Sequence, residues 1–185
     1  ERLFRDLLGD GSQLGMQISY QVQYVQRGIA DAFIIGEKFI GEDSVCLILG
    51  DNIFCGDGLN ECLAKAQEQQ SGATVFGYYV EDPRPFGVVE FDGEGKVISI
   101  EEKPAEPKSH WCCPPFYFYT KADSKRIGEA LNDGCGYDAP GSFIAWLCQK
   151  APVYAMEMPG SRYDVGNLES YTKIKNEYRG ITKCL

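Results

Sequence analysis

An α/β fold is predicted, with a mostly parallel sheet flanked by helices and a small antiparallel insertion. Three observations carry this. Apolar residues alternate along the chain between the two-residue period of strands and the 3.6-residue period of helices. The run Val45-Cys46-Leu47-Ile48-Leu49 is continuously apolar, the mark of a strand buried on both faces. Asp92-Gly93-Glu94-Gly95 joins two alternating runs and signals a hairpin.

In chain order, Glu1–Leu8 reads as the end of a helix closed by Gly9, and Met16–Val22 as a short strand. Gly28–Phe39 has helical spacing. Ser44–Leu49 is the buried strand, and Gly50-Asp51-Asn52 ends it. Leu59–Gln70 reads as a helix and Thr74–Val80 as a strand. Val88–Phe91 and Lys96–Glu101 are the arms of the hairpin, and Phe116–Tyr119 is a strand. Ser124–Asn132 reads as a helix, as does Pro140–Lys150 with proline in its first turn. Pro152–Met158 is a strand and Leu168–Arg179 a closing helix. With no repeat or linker, residues 1–185 are expected to form a single domain.

The 27 acidic against 18 basic residues give a formal net charge of −9, so no basic stripe exists to neutralise successive phosphates of a nucleic acid. A small phosphorylated substrate stays possible, because a divalent cation held by carboxylates can carry that charge. No apolar run is long enough to span a bilayer, and no signal peptide opens the chain. The 8 cysteines show neither CxxC nor zinc spacing, and read as free thiols in a reducing, cytoplasmic compartment. Cys46 and Cys148 are expected to be buried, and Cys112 and Cys113 to face opposite sides of a strand.

Ligands of α/β sheets bind beyond the carboxyl ends of strands. Asp51, followed by Asn52, stands at such an end and is either a Mg²⁺ ligand or a turn residue capping the next segment. Asp164, in Arg162-Tyr163-Asp164-Val165-Gly166, is either a second ligand or a turn before the last helix. Glu102 and Lys103, ahead of Pro104, suit a sugar hydroxyl and a phosphate, or a surface ion pair. Gln23 can donate and accept at once, as the O4 and N3–H edge of thymine or uracil requires, and Gly28 would let backbone approach a planar base. His110, the only histidine, has no catalytic partner in the pattern and reads as a structural or surface residue.

Taken in order, Leu7-Leu8-Gly9-Asp10-Gly11-Ser12-Gln13, Gln23 with Gly28, Ala32-Phe33-Ile34-Ile35-Gly36, Leu49-Gly50-Asp51-Asn52-Ile53-Phe54, Ser71-Gly72-Ala73-Thr74-Val75-Phe76, Phe86-Gly87-Val88-Val89-Glu90-Phe91 and Glu101-Glu102-Lys103-Pro104 resemble the sugar-phosphate nucleotidylyltransferases. The likeness is closest to the glucose-1-phosphate thymidylyltransferase branch. It is strong from Glu1 to Tyr119 and looser from Ser124, where Arg162–Gly166 still matches a late metal-binding Asp-x-Gly. The resemblance implies a Rossmann-like fold of the nucleotide-diphospho-sugar transferase type, with an antiparallel sugar-binding insertion. It implies Asp51 and Asp164 as Mg²⁺ ligands and Gln23 and Gly28 at the pyrimidine. Gly87, Glu102 and Lys103 would hold the sugar phosphate, and Tyr117 and the Cys113 backbone would line the sugar pocket. The implied substrates are a nucleoside triphosphate (dTTP before UTP) and a sugar 1-phosphate (glucose 1-phosphate), joined by in-line displacement of pyrophosphate with Asp51, Lys103 and Asp164 as the catalytic set. A homo-oligomer is usual in the family.

The sequence departs from that pattern in three places. The family's N-terminal strand and glycine-rich GGxGTRL loop are missing, so an incomplete gene product is expected, with reduced rate or a binding role only. Pro114-Pro115 replaces a small polar residue and glycine in the sugar pocket. Asp138-Ala139-Pro140-Gly141 replaces a GELEITD-like segment.

Overall fold

The strand Ala73–Tyr79 is the spine of the molecule, and its residues Ala73, Thr74, Val75 and Phe76 are almost wholly buried. Around it the computed structural model, which describes residues 1–137 and 140–178, arranges the other elements. In order they are α1 (Arg2–Leu8), a 3-10 turn (Ser12–Leu14), α2 (Asp31–Ile40), β1 (Val45–Ile48), β2 (Asn52–Cys55), α3 (Leu59–Gln67) and β3 (Ala73–Tyr79). Then come β4 (Gly87–Phe91), β5 (Val97–Glu102), β6 (Trp111–Cys112), β7 (Phe116–Tyr119), α4 (Lys121–Ser124), α5 (Ile127–Asn132), α6 (Pro140–Leu147), β8 (Val153–Glu157), β9 (Ser161–Asp164) and α7 (Leu168–Glu177).

β8 lies parallel to β3 along one edge, from Ala73↔Val153 to Gly77↔Glu157. On the other edge β7 and β6 run antiparallel to β3, and β1 pairs antiparallel with β7. β1, β3 and β8 therefore point the same way, with β7 reversed between β1 and β3. Among the described residues only β3–β8 makes a parallel ladder, so the sheet is more mixed than strand–helix alternation alone suggests. The segment takes five steps from Cys112 to Tyr117 where β3 takes three from Tyr78 to Val75. Pro114-Pro115 occupies that bulge, where a missing N–H costs no ladder bond. β4 and β5 form the antiparallel hairpin, joined to β3 through β6.

Helices cover both faces. α2, α5 and α6 bring Phe33, Ile127, Phe143, Ile144 and Leu147 against Val75, Tyr117 and Tyr119. α3 brings Cys62 and Ala66 against Phe76, Phe116 and Met158 on the opposite face. Side chains at alternate β7 positions thus serve two cores, as strand geometry requires.

Four local expectations need correction. Val45–Leu49 is not buried on both faces: Cys46 and Ile48 are exposed, because α3 does not reach over β1 and leaves a cavity of about 310 Å³ between Cys46, Ala66, Thr74 and Phe118. Met16–Val22 is irregular, with no partner strand among the described residues; Ile18 N–H bonds the Asp10 carbonyl instead. The helix expected over Ser124–Asn132 is two short pieces, α4 and α5, broken at Lys125-Arg126. Cys148 is half-buried rather than buried. Two short strands, β2 and β6, and the strand β9 were not expected. Cys112 and Cys113 are both buried, and only Cys112 lies within a strand. Asp138, Ala139, Arg179 and Cys184 lie outside the described residues.

Candidate active site

β2 and β9 form a separate two-stranded ribbon, in which Asn52 pairs directly with Asp164 and Phe54 with Arg162. One step before the ladder, the Val165 N–H donates to the Asp51 carbonyl at 2.7 Å. The backbones of Asp51 and Asp164 are thereby neighbours, and both side chains are exposed to solvent. At the far end the ribbon closes through Gly56 and Gly160, whose backbones pass so near each other that a Cβ built on Gly160 would stand 2.3 Å from the Cys55 carbonyl oxygen. Glycine is required there both by space and by the Gly160 φ of +83°.

A polar chain links the two aspartates. Arg162 Nε donates to Asn52 Oδ1 at 2.7 Å, and its Nη2 to Asp164 Oδ2 at 2.9 Å. Asn52 Nδ2 donates to Asp51 Oδ1 at 2.6 Å. The Gly166 N–H donates to Asp164 Oδ1 at 3.0 Å.

The second group of predicted residues lies beside the first. The Arg162 guanidinium stands 5.9 Å from the centre of the Phe86 ring. The Phe86 carbonyl accepts from the Lys103 N–H at 3.0 Å, and the Gly87 carbonyl from the Cys113 N–H at 2.7 Å. Lys103 has φ +46°, the left-handed region where a non-glycine residue is strained. It is the first residue past β5, and its side chain is exposed beside the Phe86–Gly87 turn that its backbone N–H holds. Glu102 pairs with Gly87 across the hairpin, and its carboxylate lies within 3.0 Å of where a Gly87 Cβ would be and within 3.5 Å of a Gly141 Cβ. Cys113 and Tyr117 are buried next to this group: burial, first of all, pushes the Cys113 thiol up to about 12, with the Tyr117 hydroxyl beside it. Burial likewise raises Tyr117 well above the ordinary tyrosine range, the nearby thiol adding to it.

Gln23 and Gly28 form a third, separate piece at the start of α2. Gln23 Nε2 donates to the Gly28 carbonyl at 3.0 Å and to the buried Asp31 carboxylate at 3.1 Å. Arg27 completes an ion pair with Asp31 at 3.1 Å. Both amide hydrogens of Gln23 are thus used by the protein, which corrects the expectation of a side chain that donates and accepts at once: only Oε1 remains for a ligand. Gly28 has φ +114°, open to glycine alone without strain. His110 is exposed and stacks on Tyr79 at 5.6 Å, a surface role as expected.

Sequence reasoning overlooked Arg162, Asn52 as a connector, and Asp31. Arg162 and Asp164 are two apart, so they share one face of any strand there; that spacing was the available signal. Among the described residues no three His, Cys, Asp or Glu side chains cluster to hold a metal. The two exposed aspartate carboxylates on neighbouring backbone are of the chemistry that Mg²⁺ commonly takes from a protein, one or two carboxylates together with substrate phosphates.

The chain is 56% identical over 116 residues to a glucose-1-phosphate thymidylyltransferase of Neisseria meningitidis, a match over 63% of this chain and 40% of that protein. To the Xanthomonas campestris pv. campestris enzyme of the same name it is 51% identical over 119 residues, 64% of this chain and 40% of the relative. It therefore spans about 40% of the length of these curated relatives. A crystal structure from Bacillus anthracis, named for glucose-1-phosphate thymidylyl transfer and determined with a sucrose bound, superposes with a TM-score of 0.85 at 32% identity, over 97% of this chain and 72% of that one. Apo UDP-glucose pyrophosphorylase shares the fold, with a TM-score of 0.77 at 22% identity over 95% of this chain and 69% of that one. None of the described helices is long and apolar enough to cross a membrane. The model of the nucleotidyl transferase family matches residues 1–180, and the chain belongs to that family.

Proposed function

We propose that this chain carries the sugar-phosphate side and the metal-holding pair of a glucose-1-phosphate thymidylyltransferase, which joins dTTP to glucose 1-phosphate and releases pyrophosphate. The observation that carries the reading is the placing of Asp51 and Asp164 side by side across the β2–β9 ribbon, next to the Phe86–Gly87 turn and Lys103. The names of the curated relatives support the same chemistry.

A phosphate oxygen of the sugar 1-phosphate attacks the α-phosphorus; one P–O bond forms and the bond to pyrophosphate breaks. No nucleophilic side chain is needed, so the protein's work is positioning and charge. Asp51 and Asp164 would hold Mg²⁺, which supplies charge neutralisation on the phosphates when bound. Lys103 directs its ammonium to the sugar phosphate. Glu102, beside Gly87 and Gly141, accepts from sugar hydroxyls. Gln23 Oε1 accepts from the N3–H of thymine, a donor that cytosine lacks. The same contact does not sense the thymine methyl group, which keeps UTP as the second substrate to test.

Pyrophosphate release from dTTP, UTP, CTP, ATP and GTP with glucose 1-phosphate and Mg²⁺ tests the reading, alongside calorimetric titration with dTDP-glucose. Turnover with dTTP foremost is expected. Binding of dTDP-glucose without turnover would assign a binding module instead, and neither binding nor turnover would remove the proposal.

A further inference from the structure

We infer that Arg162 is a positioning residue, which acts through Asn52 and Asp164 to hold the two aspartate carboxylates at the separation that a shared divalent cation requires. The inference rests on the metal-holding role proposed above for Asp51 and Asp164.

Its basis is the direction of each hydrogen bond. A guanidinium has donors only, so the end of Asn52 that faces Arg162 must be the carbonyl oxygen Oδ1. The opposite end, Nδ2, is then forced to face Asp51, and it donates to Oδ1. The second arm of the guanidinium holds Asp164 Oδ2, while the Gly166 N–H holds Oδ1. Reversing the Asn52 amide would break the bonds on both sides of it, so its orientation between Arg162 and Asp51 is fixed. Asp51 Oδ1 and both oxygens of Asp164 each accept one hydrogen bond and keep a lone pair for a cation. The Arg162 side chain is only 11% exposed and lies against the Phe86 ring, so the anchor of the network is itself held.

The charge of Arg162 and its geometry have opposite consequences. A nearby positive charge repels a divalent cation, so removing it would tighten metal binding. Loss of the fork frees both carboxylates to turn away, which weakens binding; partners behind metal ligands typically contribute about 10–100-fold to affinity. At an exposed site charge repulsion is screened by water and salt, and geometry dominates.

Titration of the full chain with Mn²⁺, with free ion read by electron paramagnetic resonance, separates the two. Arg162→Met and Asn52→Ala are each expected to weaken Mn²⁺ binding about 10–100-fold, and Asp51→Asn to weaken it further. Arg162→Lys keeps the charge but not the fork, and is expected to rescue little. If Arg162→Met fails to fold, Asn52→Ala, which leaves the Arg162–Asp164 pair intact, carries the test alone. Unchanged or tighter binding in Arg162→Met or Asn52→Ala, with Asp51→Asn still weakened, overturns the positioning role and leaves the aspartate reading standing. Absence of Mn²⁺ binding to the native chain, or binding indifferent to Asp51→Asn, overturns the aspartate reading and this inference with it.

Discussion

Asn52 and Asp164 are direct partners in the antiparallel β2–β9 ladder. That single pairing joins a turn near the beginning of the sheet to a segment near the end of the described chain. It places Asp51 and Asp164 side by side, with Gly87 and Glu102 of the hairpin and Lys103 just past it nearby.

Because Asp51 is exposed and its backbone carbonyl, rather than its carboxylate, holds the ribbon, Asp51→Asn should separate activity from folding. Mg²⁺-dependent pyrophosphate release is expected to fall by at least about 100-fold. Stability should stay within about 0.5 kcal/mol by urea denaturation, as for surface substitutions in general. Near-native turnover would take Asp51 out of the site.

Lys103 holds a left-handed backbone at φ +46°, which costs a side-chain-bearing residue about 1 kcal/mol. Lys103→Gly relieves that strain and Lys103→Ala does not. The glycine variant is expected to be more stable than the alanine variant by about 1 kcal/mol, while both lose turnover with the ammonium. Equal melting temperatures for the two would show that the backbone there is relaxed.

Gly87 leaves room for the Glu102 carboxylate: an added Cβ would stand 3.0 Å from Oε2. The near atom is the end of a flexible side chain, so Gly87→Ala should fold normally and displace the carboxylate. Steady-state kinetics should show KM for glucose 1-phosphate rising more than kcat falls. A selective loss of kcat would assign Gly87 some other part.

At the closed end of the ribbon, Gly160→Ala would press a methyl group to 2.3 Å from the Cys55 carbonyl oxygen on a backbone at φ +83°. Neither backbone can yield cheaply, and a strained residue of this kind costs about 1–3 kcal/mol. Hydrogen exchange should quicken across β2 and β9, the Val165 amide included. Unaltered protection would show that the ribbon tolerates the methyl group.

Glu42 ties the end of α2 to α4 through Lys121 and Lys125, and those two ammonium groups hold its carboxyl at about 2, down from an ordinary 4.5. A carboxyl lowered in the folded state adds stability above its ordinary value, and that contribution disappears as pH falls toward the folded value. The difference in denaturation midpoint between the native chain and Glu42→Gln should therefore be constant above about pH 4.5 and vanish toward about pH 2. Because the pair is exposed, 1 M salt should shrink the difference at every pH. A difference that grows on acidification would reverse the assignment.

Much of the fold was legible in the chain because its signals are local. The hairpin turn Asp92–Gly95, the helical spacing of Leu59, Cys62 and Leu63, and the apolar strands Thr74–Val80 and Phe116–Tyr119 depend on neighbours a few residues away, and all four appear in the structure within about three residues. The residues of the candidate site were legible too, since the motifs that carry the family resemblance contain them. What local signals do not specify is partnership. That, among the described residues, β1 would have only β7 beside it and expose Cys46 and Ile48, that Met16–Val22 would pair with no described strand, and that Asn52 would meet Asp164 are outcomes of chain closure over long separations. The same holds for Gln23, whose amide hydrogens are used on Gly28 and Asp31, and for Arg162, whose fork joins two strands. Periodicity along a chain records which face of an element is apolar; only packing in three dimensions decides which element covers that face and which polar groups meet there.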